Sequence, residues 1–238
     1  MGALSKGRRE IRLLARDPLL LFLVVILFLS LALFVAYPLI SVLMKSLQSE
    51  EGGFSLANYG RFFTFRYLRS SLWNSLTAGF FTAACSVVIG YTAAFTVTRT
   101  SIPWKKALHL LFILPIISPP FTSALSILML FGANGLITRG LLGIRNYNIY
   151  GFRAVLLSQV FTFAPVAYLT LRGVLESLNP TLEDAAMNVG AGRMQTFTKV
   201  TLPLSLPGIA SAFLVVLIES LADFGNPLVL AGSRFPML

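Results

Sequence analysis

Histidine and cysteine each occur once in the 238 residues, and charge is scarce. Charged side chains make up 12% of the chain, against about 25% in an ordinary soluble domain. The lone Cys85 excludes an intrachain disulfide framework and a cysteine-based zinc site. It lies within an apolar run, where cysteine packs as a small residue. A single histidine, His109, excludes the HExxH zinc pattern, and with no acidic neighbour in sequence it argues against a Ser-His-Asp triad. The chain also lacks GxxxxGK[ST], so it carries no loop of that kind to cradle the phosphates of ATP. Acidic residues number 9 against 19 Lys and Arg, a formal net charge of +10. The basic residues are spread between apolar runs rather than gathered on one stripe with interleaved aromatics. That distribution suits cytoplasmic flanks and anionic lipid headgroups, not nucleic acid.

What is abundant is apolar sequence: 56% of residues are hydrophobic and the mean hydropathy is +0.79. So much apolar surface does not fit inside one core of ordinary proportions, which points to a membrane protein. Residues 19–43 carry no charge and follow a basic segment. The run continues through VAYPLISVLM without a small-residue cleavage site, so it reads as an uncleaved helix. Four more runs, 70–98, 110–138, 154–171 and 200–218, each approach or exceed the spanning length of about 18 residues. Their apolar residues fall on every face rather than on one stripe. The predicted fold class is all-α, a polytopic helical membrane protein with five spans. Lys6, Arg8, Arg9, Arg12 and Arg16 form the densest basic cluster and place the N-terminus in the cytoplasm. The expected organisation is a cytoplasmic segment at 1–18 and a transmembrane region at 19–238, with a polar cytoplasmic loop at about 177–203.

That loop interrupts the apolar pattern with LEDAAMNVGAGRMQTFTKVTLPLSLPG, residues 182–208. Asn179 is a good N-cap and Pro180 suits a first helical position. Glu183 and Asp184 fall where the helix dipole favours negative charge. Leu182, Ala185, Ala186 and Val189 share one small apolar face, and Gly190 ends the helix as a C-cap glycine. A second short helix is expected at 194–200, before a break at Leu202-Pro203. The small face suits docking against another protein. Lying on the headgroups is the other reading, and such helices are richer in bulky apolar and basic residues.

The spacing Asp184-Ala185-Ala186, three residues, Gly190, nine residues, Val200, one residue, Leu202-Pro203 resembles the EAA loop of ABC-importer permeases. Asp stands where that pattern has Glu, and Val where it has Ile. WNSLTAG at 73–79, IGYTAAFTVTRT at 89–100 and LPIISPPFTSA at 114–124 are similar to the second and third spans of the same family. The resemblance implies a MetI-like ABC permease fold of six spans per unit, of which five are present here and the sixth is missing. It also implies that the loop is a coupling helix seated on a separate cytoplasmic ABC ATPase. Glu183 and Asp184 would pair there with basic residues, and Ala185, Ala186, Gly190, Val200, Leu202 and Pro203 complete the coupling set. The ATPase would use ATP and Mg; this chain would bind no cofactor and catalyse no reaction. An extracytoplasmic substrate-binding protein and a second permease unit, fused downstream or separate, are the further partners implied, and a bacterial inner membrane is the implied location. The chain would then be part of a longer two-unit permease, or a truncated permease without activity alone.

Pro115, Pro119 and Pro120 interrupt the third run. Broken helices line substrate paths in transporters, and they also occur as packing kinks satisfied by neighbouring helices. Glu219 and Asp223, four apart, are predicted on one helical face, with Gly225 and Pro227 opening the helix beyond them. Acids within a span face a water-filled path or a partner, unless these lie at the outer helix end in water. With Asn226 and the three prolines they form the candidate pathway set. LADFGNPLVLAG resembles the matching segment of ferric iron permeases, and related segments occur in permeases for aminoethylphosphonate, thiamine and polyamines. Ferric iron is the cargo this resemblance favours, and carboxylate oxygens suit a hard cation.

Overall fold

The computed structural model describes residues 17–48, 53–145, 147–233 and 235–238, with the backbone alone at 120. The basic cluster Lys6 to Arg16, which carries the orientation and most of the segment 1–18, lies outside the described residues. Five helical stretches among the described residues are long and apolar enough to cross a membrane, in agreement with the five runs. The chain divides into two compact units, Met1–Phe65 and Arg66–Leu238.

In the first unit, α1 (Pro18–Ser46) is the first of these stretches. Asp17 starts it: Leu19 N and Leu20 N donate to Asp17 Oδ1 at 3.1 and 3.3 Å, and Pro18 takes the first helical position. A π turn at Ala32–Ala36 lies just ahead of Pro38. The widened turn accommodates a residue that has no N–H to donate and whose ring crowds the carbonyl four residues back. After it, α2 (Ala57–Thr64) folds beside the end of α1. Asn58 Nδ2 donates to Ser46 O and Gln48 O at 3.2 and 3.0 Å.

The second unit is built on three long helices, α3 (Arg66–Arg99), α6 (Phe152–Ser177) and α8 (Arg193–Ala222). In lipid there is little hydrophobic drive for helices to associate, so close packing of small residues holds them. At Gly90 of α3, an added Cβ would stand 2.7 Å from Tyr168 N and 2.9 Å from Ala167 Cβ, both on α6. At Gly208 of α8, it would stand 2.5 Å from the methyls of Val174. Around these contacts Ala83, Val87, Ala94, Ala167, Tyr168, Leu171, Ala212 and Val216 form one buried core.

The third run is interrupted at its prolines as expected, and one expectation about an element boundary changes. The third run is not one helix: it divides into α4 (Lys105–Ile113), a 3-10 turn at Leu114–Ile117, α5 (Pro120–Phe131) and a π turn at Leu136–Leu141. Pro119 adopts φ −57°, ψ 144°, the extended backbone favoured ahead of a proline, and this breaks the helix before Pro120. The candidate span there is Phe121–Leu141. Conversely, Leu202-Pro203 is no break. α8 runs through it, because another π turn, at Phe197–Thr201, precedes Pro203 as the one at Ala32–Ala36 precedes Pro38.

Beyond α8 a short helix, α9 (Gly225–Leu230), turns back against the chain. Leu230 and Ala231 join Ala124, Ile127, Ile149, Ala154 and Val155 in a second buried core. The following tail packs on the start of α3, where Asn74 Nδ2 donates to Pro236 O at 2.9 Å and Leu238 N to Ser75 Oγ at 2.9 Å.

Candidate functional site

The polar loop folds into α7 (Thr181–Asn188). Pro180 has helical φ and ψ, and Asn179 caps the turn, its Oδ1 accepting from Thr181 N at 3.1 Å. At the other end Gly190 takes φ +91°, the left-handed conformation that glycine adopts without strain. Gly190 N donates to Met187 O and Ala191 N to Ala186 O, both at 3.0 Å. This pair of bonds is a Schellman closure, and it satisfies carbonyls the helix would otherwise leave open. Both ends are therefore set by local chemistry.

The helix presents its small face outward. Val189 is 86% exposed and Leu182 48% exposed, Ala185 and Asp184 are exposed, and Ala186 is half-buried. Glu183, expected to point the same way, is turned into the chain. Its Oε1 stands 3.1 Å from Arg99 Nε, with the two side chains only 19% and 12% exposed, and accepts from Thr201 Oγ1 at 2.9 Å. Arg99 Nη2 also donates to Leu175 O and Leu178 O, at 2.9 and 3.1 Å. Those carbonyls close the end of α6, where a cation complements the helix dipole. Of the remaining loop residues, Val200 and Leu202 are half-buried, Leu202 against the main core, and Pro203 is exposed. A cavity of about 850 Å³ opens beside this junction, lined among others by Phe95, Arg99, Glu183, Met187 and Phe197.

The second candidate set is arranged differently from its spacing. Glu219 and Asp223 do not share a helical face, because α8 ends at Ala222 and Asp223 takes an extended backbone, ψ 110°. Glu219 stays on the exposed side of α8. Asp223 turns inward to a polar cluster among α3, α6, α8 and α9. Gln159 Nε2 and Asn226 Nδ2 donate to Asp223 Oδ2 at 3.1 and 2.8 Å, and Asn226 N to Oδ1 at 3.2 Å. Gln159 Oε1 accepts from Thr82 and Ser220 at 3.0 and 2.8 Å, and Ser158 donates to Asn226 Oδ1 at 2.5 Å. Asn226 and Gln159 are fully buried, and their hydrogen bonds relieve much of the cost of burying an amide. Pro115 and Pro119, with the backbone of Pro120, lie at the break before α5, and Pro119 is exposed there. Among the described residues, no group of three His, Cys, Asp or Glu gathers that could hold a metal.

Sequence spacing missed Arg99, Gln159 and a third cluster. His109 Nδ1 and Tyr168 OH are 2.7 Å apart, and Arg172, 2.9 Å from the imidazole through Nη1, also donates from Nε to Glu176 Oε1 at 2.7 Å. A polar amide within an uncharged run was a visible sign for Gln159. Arg99 shows in sequence only as the charge that ends a run.

Residues 86–236 match the family described as "Binding-protein-dependent transport system inner membrane component". A ferric transport system permease protein of Actinobacillus pleuropneumoniae is 34% identical over 204 residues, covering 84% of this chain and 30% of its own. A molybdenum transport system permease protein of Mycobacterium tuberculosis is 30% identical over 205 residues, covering 84% of this chain and 73% of its own. This chain spans less than a third of the length of the ferric relatives it matches. In fold it resembles a chain of a bacterial alginate ABC transporter, solved in complex with an alginate pentasaccharide-bound periplasmic protein. There the TM-score is 0.78 at 19% identity, over 94% of this chain and 80% of the other.

Proposed function

We infer the role of this chain from its membership: it belongs to the binding-protein-dependent transport system inner membrane components, and within them it acts as a permease of an ABC importer. The observation that carries this reading is α7, a helix capped at both ends that exposes Asp184, Ala185 and Val189 while its other side is fastened to the spans. A small, exposed face with one acid suits close approach by a partner carrying basic residues. That partner is a cytoplasmic ABC ATPase, which hydrolyses ATP with Mg and pushes on α7 to rock the spans. The N-terminus lies in the cytoplasm with α7, and a substrate-binding protein delivers cargo on the opposite side. A second permease unit, fused or separate, supplies the facing wall of the path.

Ferric iron is the proposed cargo, supported by the ferric relatives. Another small solute is the second reading, favoured by the likeness to a molybdenum permease over an equal share of this chain. Glu219, with the break around Pro115, Pro119 and Pro120, is placed on the path; an acid exposed on a span faces water or a partner in preference to lipid.

Docking is tested by co-purification of the ATPase with the membrane-embedded chain. Asp184→Arg and Val189→Glu reverse the charge and polarity of the exposed face without touching the core. Each is expected to weaken ATPase retention by about tenfold, as loss of a central interface contact does. Undiminished retention in both variants would refute the docking role of α7.

A further inference from the structure

We propose that Arg99 is a positioning residue for coupling, holding α7 and the ends of α3, α6 and α8 together so that they move as one body. The proposal rests on the reading of α7 as the element an ATPase pushes, and it reassigns Glu183 from that outer contact to an inner one.

The geometry has four anchors. Arg99 closes α3, and its Nη2 donates to Leu175 O and Leu178 O at the end of α6. Its Nε stands 3.1 Å from Glu183 Oε1 on α7. The same carboxylate oxygen accepts from Thr201 Oγ1, at 2.9 Å, in the π turn of α8. Thr201 is 2% exposed. One ion pair therefore reaches four elements.

Burial makes the connection stiff. Arg99 and Glu183 are 12% and 19% exposed, so most of each side chain is shielded from water and relies on its partner. Separating a mostly buried pair leaves an uncompensated charge, which is far costlier than sliding the joined elements together. Displacement of α7 is thus transmitted to the carbonyl end of α6 and to the π turn of α8 instead of being absorbed at the loop. A Glu183 that reached outward to the partner would leave the Arg99 guanidinium beside two carbonyls and no anion.

The test uses the full chain in lipid vesicles, alone and assembled with its second permease unit, ATPase and binding protein. A nitroxide at Asn188→Cys, in a Cys85→Ser background, reports the motion of α7. Glu183→Gln and Arg99→Gln are each expected to raise nitroxide mobility. In the assembled importer, ATPase retention should stay at the wild-type level while ferric iron moved per ATP falls about tenfold, within the range of a lost coupling contact. The double variant should be no worse than Arg99→Gln alone, because Glu183→Gln removes an ion pair that Arg99→Gln has already removed. Thr201→Val, which replaces the hydroxyl with a methyl of similar size, should act in the same direction and stands in should Arg99→Gln fail to accumulate. Unchanged mobility in the variants would overturn the proposal, as would unchanged iron per ATP. Loss of the ATPase with Glu183→Gln would make Glu183 an outer docking acid and also overturn it. If the wild-type chain retains no ATPase, the reading of α7 falls, and this proposal falls with it. If the wild-type importer moves no ferric iron, only the cargo reading fails and nitroxide mobility decides.

Discussion

Asp223 and Glu219 stand four residues apart, yet one is knitted into the chain and the other faces outward. The carboxylate of Asp223 receives three donors from Gln159 and Asn226, so removing it leaves those donors unmet in a buried setting. Asp223→Ala should therefore destabilise the second unit by about 2–4 kcal/mol, read as a lower thermal midpoint in detergent. A midpoint equal to the wild type would show that the cluster is incidental to the fold. The spacing that suggested a shared face fails because the helix ends at Ala222. Gly225 and Pro227 announced that the helix would open nearby. Nothing local announced that Gln159, 64 residues earlier, would receive the side chain that the opening turns inward.

Among elements, α7 was the most legible, because Asn179, Pro180 and Gly190 act within a few residues of where they stand. The third run breaks at its prolines as expected, whereas the fifth does not break at Leu202-Pro203. A proline marks a missing donor, but a break, as before Pro120, or a π turn, as before Pro203, can each accommodate it. Helix pairing lay outside the reach of spacing, since small residues recur throughout the spans and only geometry selects Gly90. There an added methyl would meet the backbone of Tyr168 at 2.7 Å. Gly90→Ala should cost about 1–3 kcal/mol through overpacking, measured by thermal unfolding in detergent. Gly173→Ala on α6, with nothing within 4 Å of the added carbon, provides the contrast. It should be neutral or gain up to about 1 kcal/mol from helix propensity. Equal effects of the two substitutions would contradict the close approach of α3 and α6.

At the scale of the molecule, five apolar runs and one polar loop were enough to read a helical membrane protein of this family from sequence. The pathway was less legible, since it depends on which acids face outward. With Asp223 committed to the fold, Glu219 is the acid of that pair proposed for the path. Glu219→Gln should leave the thermal midpoint unchanged and lower ferric iron uptake in assembled vesicles by about tenfold, the scale of one lost charge contact. Full uptake would remove Glu219 from the path. The tail at 236–238 has a further consequence, one of timing. Asn74 and Ser75 receive their partners from residues 162 and 163 positions later. At 5–20 residues per second a ribosome needs roughly 8–30 s to cover that distance. Until then the two polar side chains must be tended by water or by the insertion machinery. This end of the bundle is consequently sealed later than the contacts among α3, α6 and α8, and a ribosome stalled before residue 236 would leave it open.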